Sequence, residues 1–311
     1  MANQFPEYWG MQFTKTIHNK AEGPTDPRNI KLHPDFVVVV TGAGKGLGYH
    51  IALSYAIAGA KGIVIASRTK ADLDKLEAEI KQVNPDADVL SQTCDTMKDG
   101  DVKALAEATK KRFGRLDVVV ANAGVISKYI TKSDGKEYMP VGVVEDEDFP
   151  RVIETNLMGS WRVAHNFVPQ LEATKDGAQA FIVITSIASH MNKSEMCPIA
   201  YNLSKICMNR LAEHIHQDHY EKTGVQAFAV HPGAVYTPQT ERHHETQLGQ
   251  LWTDVLVDDV ALCGGFLTWL TSEKRPWLSG RYISVNWDTQ ELEKMKDEIV
   301  EKDKLTMRMI V

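Results

Sequence analysis

The feature that most constrains the fold is an apolar run, residues 36–40, that leads directly into a glycine-rich loop. The run is rich in valine and uninterrupted, which is typical of a parallel strand buried on both faces. The loop TGAGKGLG (residues 41–48) follows at once, and an apolar helical pattern continues to Ile57. Strand, glycine loop and helix in this order predict a nucleotide-binding turn, because glycines let the backbone approach a pyrophosphate and the helix N-terminus supplies free amides. A plain strand-to-helix turn is the alternative.

The same alternation continues along the chain. Further strands are predicted at residues 62–66, 87–93, 118–120, 180–184, 225–230 and 282–285, with helices between them. This order predicts a single doubly wound parallel α/β domain whose ligand lies at the carboxyl ends of the strands. We expect the domain over residues 35–287, an irregular arm at 1–34 and a charged helical tail at 288–311. A polar, irregular stretch predicts a mobile flap at about 236–257.

Composition narrows the class of protein. The net charge of −6 comes without any basic block, which argues against a nucleic-acid partner. The longest apolar run is too short to cross a bilayer, and the N-terminus lacks a secretory pattern. The four cysteines are scattered without metal or redox spacing. We therefore expect a cytoplasmic protein with reduced thiols and no membrane partner.

The predicted strands bring small and polar residues to one rim of the sheet. Because parallel strands end at a common edge, residues from distant loops are expected to line one cofactor groove there. The candidates are Gly42, Lys45, Gly46, Leu47, Gly48, Ser67, Arg68, Asp95, Thr96, Asn122, Ala123, Gly124, Pro232, Gly233, Val235 and Thr237.

The end of the second predicted strand bears on the choice of cofactor. An acid at this position would bind a ribose 2′-hydroxyl, whereas a base accommodates a 2′-phosphate. The chain has Ser67 and Arg68 here, no acid before Asp72, and a second cation, Lys45, in the glycine loop. This pattern favours NADP(H) over NAD(H). The alternative is a surface arginine on a solvated turn.

Tyr201 and Lys205 form the candidate catalytic pair. Four residues make about one helical turn, so both side chains are expected on one face. A nearby ammonium favours phenolate, and lowering the tyrosine pKa by about 3 units takes roughly 4 kcal/mol. The result would be a general acid/base, with Ser186 holding a substrate oxygen by hydrogen bond. Chance alone gives about 0.7 such pairs in a chain of this composition, so the pair gains weight only beside a cofactor site.

The run of His214, His216 and His219 could suggest a metal site. Positions 214 and 216 do not share a helical face, and no acid or cysteine completes a site. A solvated helix end is the favoured interpretation, and no metal is predicted.

Together these motifs resemble the short-chain dehydrogenase/reductase family over roughly residues 35–287. The glycine loop, residues 122–124, Asn156, Ser186, the pair Tyr201 and Lys205, and residues 232–233 occur in the order of the family. The junction at residues 287–288 and the tail also resemble fungal members. Two departures are Ala121, where the family often has a second asparagine, and a long stretch from Gly124 to Asn156. That stretch contains residues 132–136, an expected exposed turn.

The resemblance implies a Rossmann-type sheet of seven strands and a nicotinamide cofactor. It assigns the proton transfer to Tyr201 and the positioning of the substrate oxygen to Ser186. Lys205 would lower the tyrosine pKa and hold the nicotinamide ribose, and Asn156 would anchor a water that links the lysine to solvent. Asp95 would contact adenine, and Thr237 the carboxamide or phosphates. A homodimer or homotetramer through the long helices and the last strand is also implied.

The expected reaction is the NADP(H)-dependent interconversion of a ketone and a secondary alcohol. Segments that flank the active site in the family supply Met191, Met196, Cys197, Tyr236, Leu251 and Trp252. These side chains favour a pocket for a bulky apolar carbonyl compound, with ordinary core packing as the alternative. An isomerase or rearrangement enzyme on the same fold, and a non-catalytic cofactor-binding partner protein, are the competing functions.

Overall fold

A sheet of seven parallel strands forms the centre of the molecule. The computed structural model describes residues 6–241 and 249–309, except the side chains of Gln250 and Leu251. The strands are β1 Val37–Thr41, β2 Gly62–Ser67, β3 Asp88–Thr93, β4 Val118–Ala121, β5 Ile130–Thr131, β6 Glu137–Tyr138, β7 Ala180–Ile184, β8 Gln226–His231 and β9 Tyr282–Ser284. The order in the large sheet is β3-β2-β1-β4-β7-β8-β9, while β5 and β6 pair as a separate antiparallel hairpin. The predicted doubly wound fold and its seven strands are confirmed.

Helices cover both faces of this sheet. They are α1 Gly46–Ile57, α2 Lys70–Val83, α3 Asp99–Phe113, α4 Gly142–Glu145, α5 Phe149–Ile153, α6 Gly159–Ala173, α7 Ile199–Thr223, α8 Gly249–Val255, α9 Ala261–Ser272, α10 Thr289–Lys294 and α11 Lys296–Glu301. A π-helical turn, Glu154–Met158, joins α5 to α6.

The alternation of side chains in β1 explains its uninterrupted apolar sequence. Val38 and Val40 pack into the core on the face covered by α1 and α9. Val37 and Val39 point the other way, into the core beneath α3, α6 and α7. Successive strand residues face opposite sides, so a strand covered on both faces needs apolar residues at every position.

The strand order reverses direction at the centre of the sheet. β1 pairs with β2 on one side and with β4 on the other, so the connections that follow β1 and β4 diverge to opposite halves. A doubly wound sheet opens a crevice at such a switch point, outside the carboxyl ends of the strands. The glycine loop and residues 122–124 both lie there.

The predicted flap and the long segment before Asn156 contain structure that the pattern did not indicate. Residues 249–255 form helix α8, so the expectation of an irregular flap is wrong there. Trp252 and Leu256 lie four residues apart, and both pack into an apolar cluster, which stabilises a helical turn. His243 and His244 lie outside the described residues. The predicted exposed turn at residues 132–136 is confirmed and closes the hairpin of β5 and β6.

The two ends of the chain pack against each other. The Trp287 indole nitrogen donates to the Gly10 carbonyl at 2.9 Å, and the Phe13 ring lies 5.0 Å from the Trp287 ring. The tail forms two short helices, α10 and α11, where one helix was expected, and the backbone nitrogen of Tyr282 in β9 donates to the Leu305 carbonyl at 2.9 Å. No helix within the described ranges is long and apolar enough to cross a membrane.

Candidate active site

A cleft of about 470 Å³ opens at the carboxyl ends of the strands. Most of the predicted cofactor residues line it, together with both members of the candidate catalytic pair. They are Gly42, Lys45, Gly46, Leu47, Ser67, Arg68, Asp95, Thr96, Asn122, Ala123, Gly124, Tyr201, Lys205, Pro232 and Thr237. The structure therefore brings residues from five separate loops and from α7 to one cavity.

Five predicted site residues do not line this cleft: Gly48, Gly233, Val235, Asn156 and Ser186. A Cβ on Gly48 would lie 2.4 Å from the Gly42 carbonyl oxygen, so this glycine permits close packing of α1 against its own loop. Gly233 packs beside the Asp258 carboxylate, and Val235 is buried and bridged to the same residue.

The start of α1 has the features of a phosphate site. Gly46 adopts a φ of +57°, a backbone conformation that residues with a side chain rarely adopt, and it lies close to Thr237. No side chain caps the first turn of α1, so its amides remain available to an anionic ligand beside the positive end of the helix dipole. The loop therefore fits a dinucleotide pyrophosphate.

Asn122 forms hydrogen bonds that connect two of the segments lining the cleft. Its side-chain nitrogen donates to the carbonyls of Thr41 at 2.9 Å and Gly42 at 3.2 Å. The end of β4 is thus tied to the start of the glycine loop, which fixes one edge of the groove.

Two cationic side chains and one carboxylate lie near the end of β2. Arg68 lines the cleft, and no carboxylate among the described residues lies within ion-pair distance of it. Lys45 instead pairs with Asp72 at 3.3 Å. Asp72 is the first acid after β2 in the sequence; α2 begins at Lys70, and its first turn brings Asp72 into the cleft.

Tyr201 lines the cleft from helix α7. Its ring is held by α7, which begins at Ile199 immediately after Pro198, a residue suited to ending an extended segment before a helix. Ser186 is close enough to the Tyr201 hydroxyl to act on its pKa. Ser186 is the second residue after the end of β7, on the same side of the sheet as the cleft.

Lys205 lies one turn further along α7. Its Nζ atom is 5.3 Å from the centre of the Tyr201 ring and donates to the Ile184 carbonyl at 2.7 Å. Burial lowers the pKa of Lys205 to about 7. The pair therefore has the predicted helical spacing, and its ammonium sits within reach of the phenol.

The expected depression of the tyrosine pKa is not found in these surroundings. Burial raises the pKa of Tyr201 above its ordinary value, with a smaller contribution from Cys197, while the hydrogen bond with Ser186 acts in the opposite direction. Desolvation penalises the charged phenolate, and it equally penalises the ammonium that was to stabilise it. Around pH 7 the phenol is therefore protonated.

Asn156 is buried behind the cleft. The π-helical turn directs its side chain inward, where Oδ1 accepts from the Val125 backbone at 2.8 Å. Its Nδ2 donates to the Val125 carbonyl and to the Ser204 hydroxyl, both at 2.9 Å. Asn156 thus joins the segment after β4 to the residue that precedes Lys205.

A third apolar cluster, separate from the two sheet cores, packs against Tyr201. We call it the sulfur-rich cluster; it consists of Tyr129, Met139, Ala188, Met191, Met196, Cys197, Trp252 and Leu256 around the Tyr201 ring. Met191, Met196, Cys197 and Trp252 were predicted to lie near the substrate. Tyr236 is 55% exposed and outside the cluster, and the Leu251 side chain lies outside the described residues.

The sequence did not predict several residues of the cleft lining and of the sulfur-rich cluster. Tyr129 and Met139 come from the long segment before Asn156, whose unusual length was the available signal. The cleft is also lined by Gly44, Thr69, Asp72, Cys94, Met97, Val125, Thr155, Ile184, Thr185, Pro238 and Gln239. Gly44 lies within the recognised glycine motif, whereas Thr155 carries no local signal.

The histidines of α7 have other partners. His219 accepts or donates a hydrogen bond at 2.9 Å with Glu172, and the His216 ring stacks on Tyr220. Within residues 6–241 and 249–309, no group of three or more His, Cys, Asp or Glu side chains is arranged to hold a metal ion.

Comparison with known proteins gives one consistent result. The family model for short chain dehydrogenases matches residues 36–248. The chain is 35% identical to short chain dehydrogenase pgmD of Aspergillus terreus, over 98% of this chain and 96% of the relative. It is 32% identical to short chain dehydrogenase citE of Monascus ruber, over 99% of both chains.

The fold has solved counterparts. A short-chain type dehydrogenase/reductase from Mycobacterium marinum superposes with a TM-score of 0.69 at 21% identity, covering 85% of this chain and 98% of that protein. The matched segment holds the glycine loop, Ser186, Tyr201 and Lys205, and the curated relatives match along almost their whole length. This chain belongs to the short-chain dehydrogenase family.

Proposed function

We propose that this chain is an NADP(H)-dependent oxidoreductase that interconverts a ketone and a secondary alcohol. The observation that carries the proposal is the position of Tyr201. Tyr201 lines a cleft suited to a dinucleotide, the Lys205 Nζ atom lies 5.3 Å from the centre of its ring, and Ser186 acts on the pKa of its hydroxyl. A proton donor next to a hydride carrier is the combination that carbonyl reduction requires.

The glycine loop and α1 would hold the cofactor by its pyrophosphate, with Asp95, Asn122 and Thr237 along the groove. When bound there, the nicotinamide supplies or accepts a hydride. The chain's part is to orient both reactants at the rim of a rigid sheet and to keep the reacting carbon away from bulk water.

The protonation states suit the reduction direction. Because burial keeps the Tyr201 phenol protonated, it can donate to the developing alkoxide, while the Ser186 hydroxyl positions the same oxygen. The Ile184 carbonyl holds Lys205 in place. In its charged form, Lys205 would stabilise the phenolate that Tyr201 becomes after it gives up its proton. Asn156 acts as a positioning residue, because it fixes Ser204 and the segment that follows β4.

Turnover with a panel of ketones tests the reaction class. We expect NADPH fluorescence to decay upon addition of an apolar ketone, and the product to weigh two hydrogens more than the substrate. An isomerase would leave the substrate mass unchanged. A binding protein would retain NADPH without consuming it, and either outcome would remove the proposed reaction.

The preference for NADPH rests on Arg68 and Lys45. Lys45 is already paired with Asp72, so Arg68 is the cation more available to a 2′-phosphate. We expect wild type to prefer NADPH and Arg68→Asp to lose this preference by at least about tenfold in kcat/KM, since one cationic partner of the phosphate is removed and a repulsion is added. Arg28→Asp makes the same charge change at an exposed site in the arm and should leave the cofactor ratio unchanged. A wild-type preference for NADH would contradict the assignment.

Location and assembly follow as further parts of the proposal. All four cysteines are free, which favours a reducing, cytosol-like compartment. For a homo-oligomer we favour contact through the long helices, because Trp161 on α6 is 44% exposed and Leu203 on α7 is 42% exposed. The edge of β9 is partly covered by the chain's own tail at Leu305.

A further inference from the structure

The helix that carries Tyr201 has no capping side chain at its own start. α7 begins at Ile199, and the residue before it, Pro198, has no side-chain atom that could accept a hydrogen bond from the first-turn amides. These amides have no partner within the helix, and an unpaired amide in a buried position is costly. Tyr201 is the third residue of α7, so its backbone depends on an acceptor from another segment.

The acceptor is Asp146, in the long segment before Asn156. Asp146 is 4% exposed, and its carboxylate accepts from the backbone nitrogen of Ala200 at 3.0 Å. The two residues are 54 positions apart in the chain, and Ala200 directly precedes Tyr201. A carboxylate is a stronger acceptor than a neutral group, and its charge suits the positive end of the helix dipole. Asp146 therefore caps α7 from a distant part of the sequence.

No ion pair accounts for the burial of Asp146. Its neighbours Glu145 and Asp148 pair with Lys132 and Arg151. In the part of the chain that the structure describes, no basic side chain lies within ion-pair distance of Asp146, and its Oδ1 atom is buried without a hydrogen-bond partner. Burying a carboxylate is costly unless it is paired or hydrogen-bonded. The contact with α7 is therefore the interaction that this buried side chain makes.

The same segment contacts α7 a second time, one turn further along. Asn156 donates to the Ser204 hydroxyl at 2.9 Å, and this hydroxyl donates to the Tyr201 carbonyl at 2.8 Å. Helix α5 lies between Asp146 and Asn156 in the chain and packs against α7. The backbone around Tyr201 is thus held on both sides, through the amide of Ala200 and through the carbonyl of Tyr201 itself.

We propose that Asp146 is a positioning residue for Tyr201, because its carboxylate caps the first turn of α7 and thereby fixes the direction of the phenol towards the cleft. The inference rests on the proposed function for the reaction itself, and adds to it a residue outside the motifs recognised in the sequence. Asp146 is not part of the cleft lining, so it acts through the backbone of α7.

Two replacements of similar shape separate the hydrogen bond from the volume of the side chain. Asp146→Asn keeps an acceptor oxygen for the Ala200 amide, whereas Asp146→Leu keeps the branched shape and removes the acceptor. We expect Asp146→Leu to lower kcat for ketone reduction by at least about tenfold, since a small misplacement of a reacting group can cost about 10²-fold in rate. Asp146→Asn should retain kcat within about twofold, because the hydrogen bond is kept. The Kd for NADPH should stay near the wild-type value in both variants.

Asp146→Ala removes the same acceptor without adding bulk, and it replaces Asp146→Leu in the comparison if leucine prevents folding. Thermal unfolding of each variant sets an assay temperature at which the protein is fully folded. A lower kcat then does not reflect unfolded protein.

Asp134→Ala is the matched control. The Asp134 carboxylate accepts from the backbone nitrogen of Lys136, also at 3.0 Å, in the exposed turn of the hairpin. The change removes a hydrogen bond of the same kind at a site away from α7, so it should leave kcat unchanged.

A spectroscopic readout at Tyr201 makes the test independent of turnover. With 3-fluorotyrosine in place of tyrosine, the ¹⁹F resonance that is missing from Tyr201→Phe belongs to position 201. We expect this resonance to be single and at the same chemical shift in wild type and Asp146→Asn. It should be shifted or split in Asp146→Leu and Asp146→Ala, because the ring is no longer held in one position.

Unchanged kcat in folded Asp146→Leu or Asp146→Ala would overturn the inference, and so would an unchanged resonance of residue 201. A loss of kcat in Asp146→Asn as large as in Asp146→Leu would also overturn it, because the charge and not the hydrogen bond would then be decisive. If the resonance responds as expected but wild type consumes no NADPH with any ketone, the positioning role of Asp146 stands and the proposed function fails.

Discussion

Lys205 illustrates how burial, more than spacing, sets the chemistry of a side chain that we propose to be catalytic. The sequence predicted its contact with Tyr201 from four-residue spacing, and the two groups are indeed neighbours. The direction of the tyrosine pKa could not be predicted in this way, because it depends on how completely Ile184, Cys197 and other distant residues exclude water from both groups.

This burial predicts a pH dependence of stability. The pKa of Lys205 is about 7 in the folded chain and 10.5 for an ordinary lysine. Between these values the folded chain binds fewer protons than the unfolded chain, so the free energy of unfolding rises with pH by up to about 1.4 kcal/mol per pH unit. Lys205→Met removes this contribution. Urea unfolding from pH 7.5 to 8.5 should show wild type gaining on the order of 1 kcal/mol relative to the variant.

The matched control is Lys103→Met, an exposed position on α3, whose stability should follow the wild-type pH profile. Other titrating groups are common to all three proteins and cancel in the difference. If the free energy of unfolding changed with pH in the same way in wild type and Lys205→Met, Lys205 would titrate normally. Water would then have more access to the site than its geometry indicates.

The loop between β8 and α8 depends on both ends of the chain. Ala234 in this loop donates to the Asp258 carboxylate at 2.6 Å, and Asn286 donates to the same carboxylate and to the His18 carbonyl, each at 2.9 Å. The N-terminal arm and the segment after β9 thereby brace the loop that carries Pro232 and Thr237 into the cleft.

Removing that brace should weaken cofactor binding specifically. In Asn286→Ala the Asp258 carboxylate that holds the loop loses one hydrogen bond, and we expect the Kd for NADPH to rise by about tenfold, equivalent to one hydrogen bond to a charged group. Fluorescence titration with NADPH measures this. Asn29→Ala alters an exposed hydrogen bond within the arm and should leave the Kd unchanged. An unchanged Kd with lowered stability in Asn286→Ala would reduce Asn286 to a purely structural role.

Helices and strands differed in how well local patterns predicted them. β1 and β7 were predictable because both of their faces are covered, which leaves continuous apolar runs. Helix α8 and the hairpin of β5 and β6 were not, because they are short, and Trp252 of α8 and the hairpin-flanking residues Tyr129 and Met139 pack in a cluster with segments far away in the chain. Tertiary packing, not local propensity, holds such elements.

The assembled site joins segments that no sequence window contains. The cleft could be anticipated because parallel strands end at a common edge, which places residues 42 and 122 together regardless of the loops between them. The packing of Tyr129 and Met139 in the sulfur-rich cluster and the position of Asp72 in the cleft could not be predicted from the sequence. Periodicity does not determine the path of a loop. The active site is therefore a property of the complete α/β domain with its arm and tail attached.

The most direct test of the account is turnover by Tyr201→Phe at full cofactor occupancy. The change removes one hydroxyl and keeps the ring between the cleft and the sulfur-rich cluster, and a general acid contributes about 10²- to 10⁴-fold to rate. We predict a loss of kcat in that range with the Kd for NADPH nearly unchanged, while Tyr8→Phe, at a 60% exposed position in the arm, retains full activity. Near-normal kcat in Tyr201→Phe would contradict the assignment of the proton donor and the mechanism built on it.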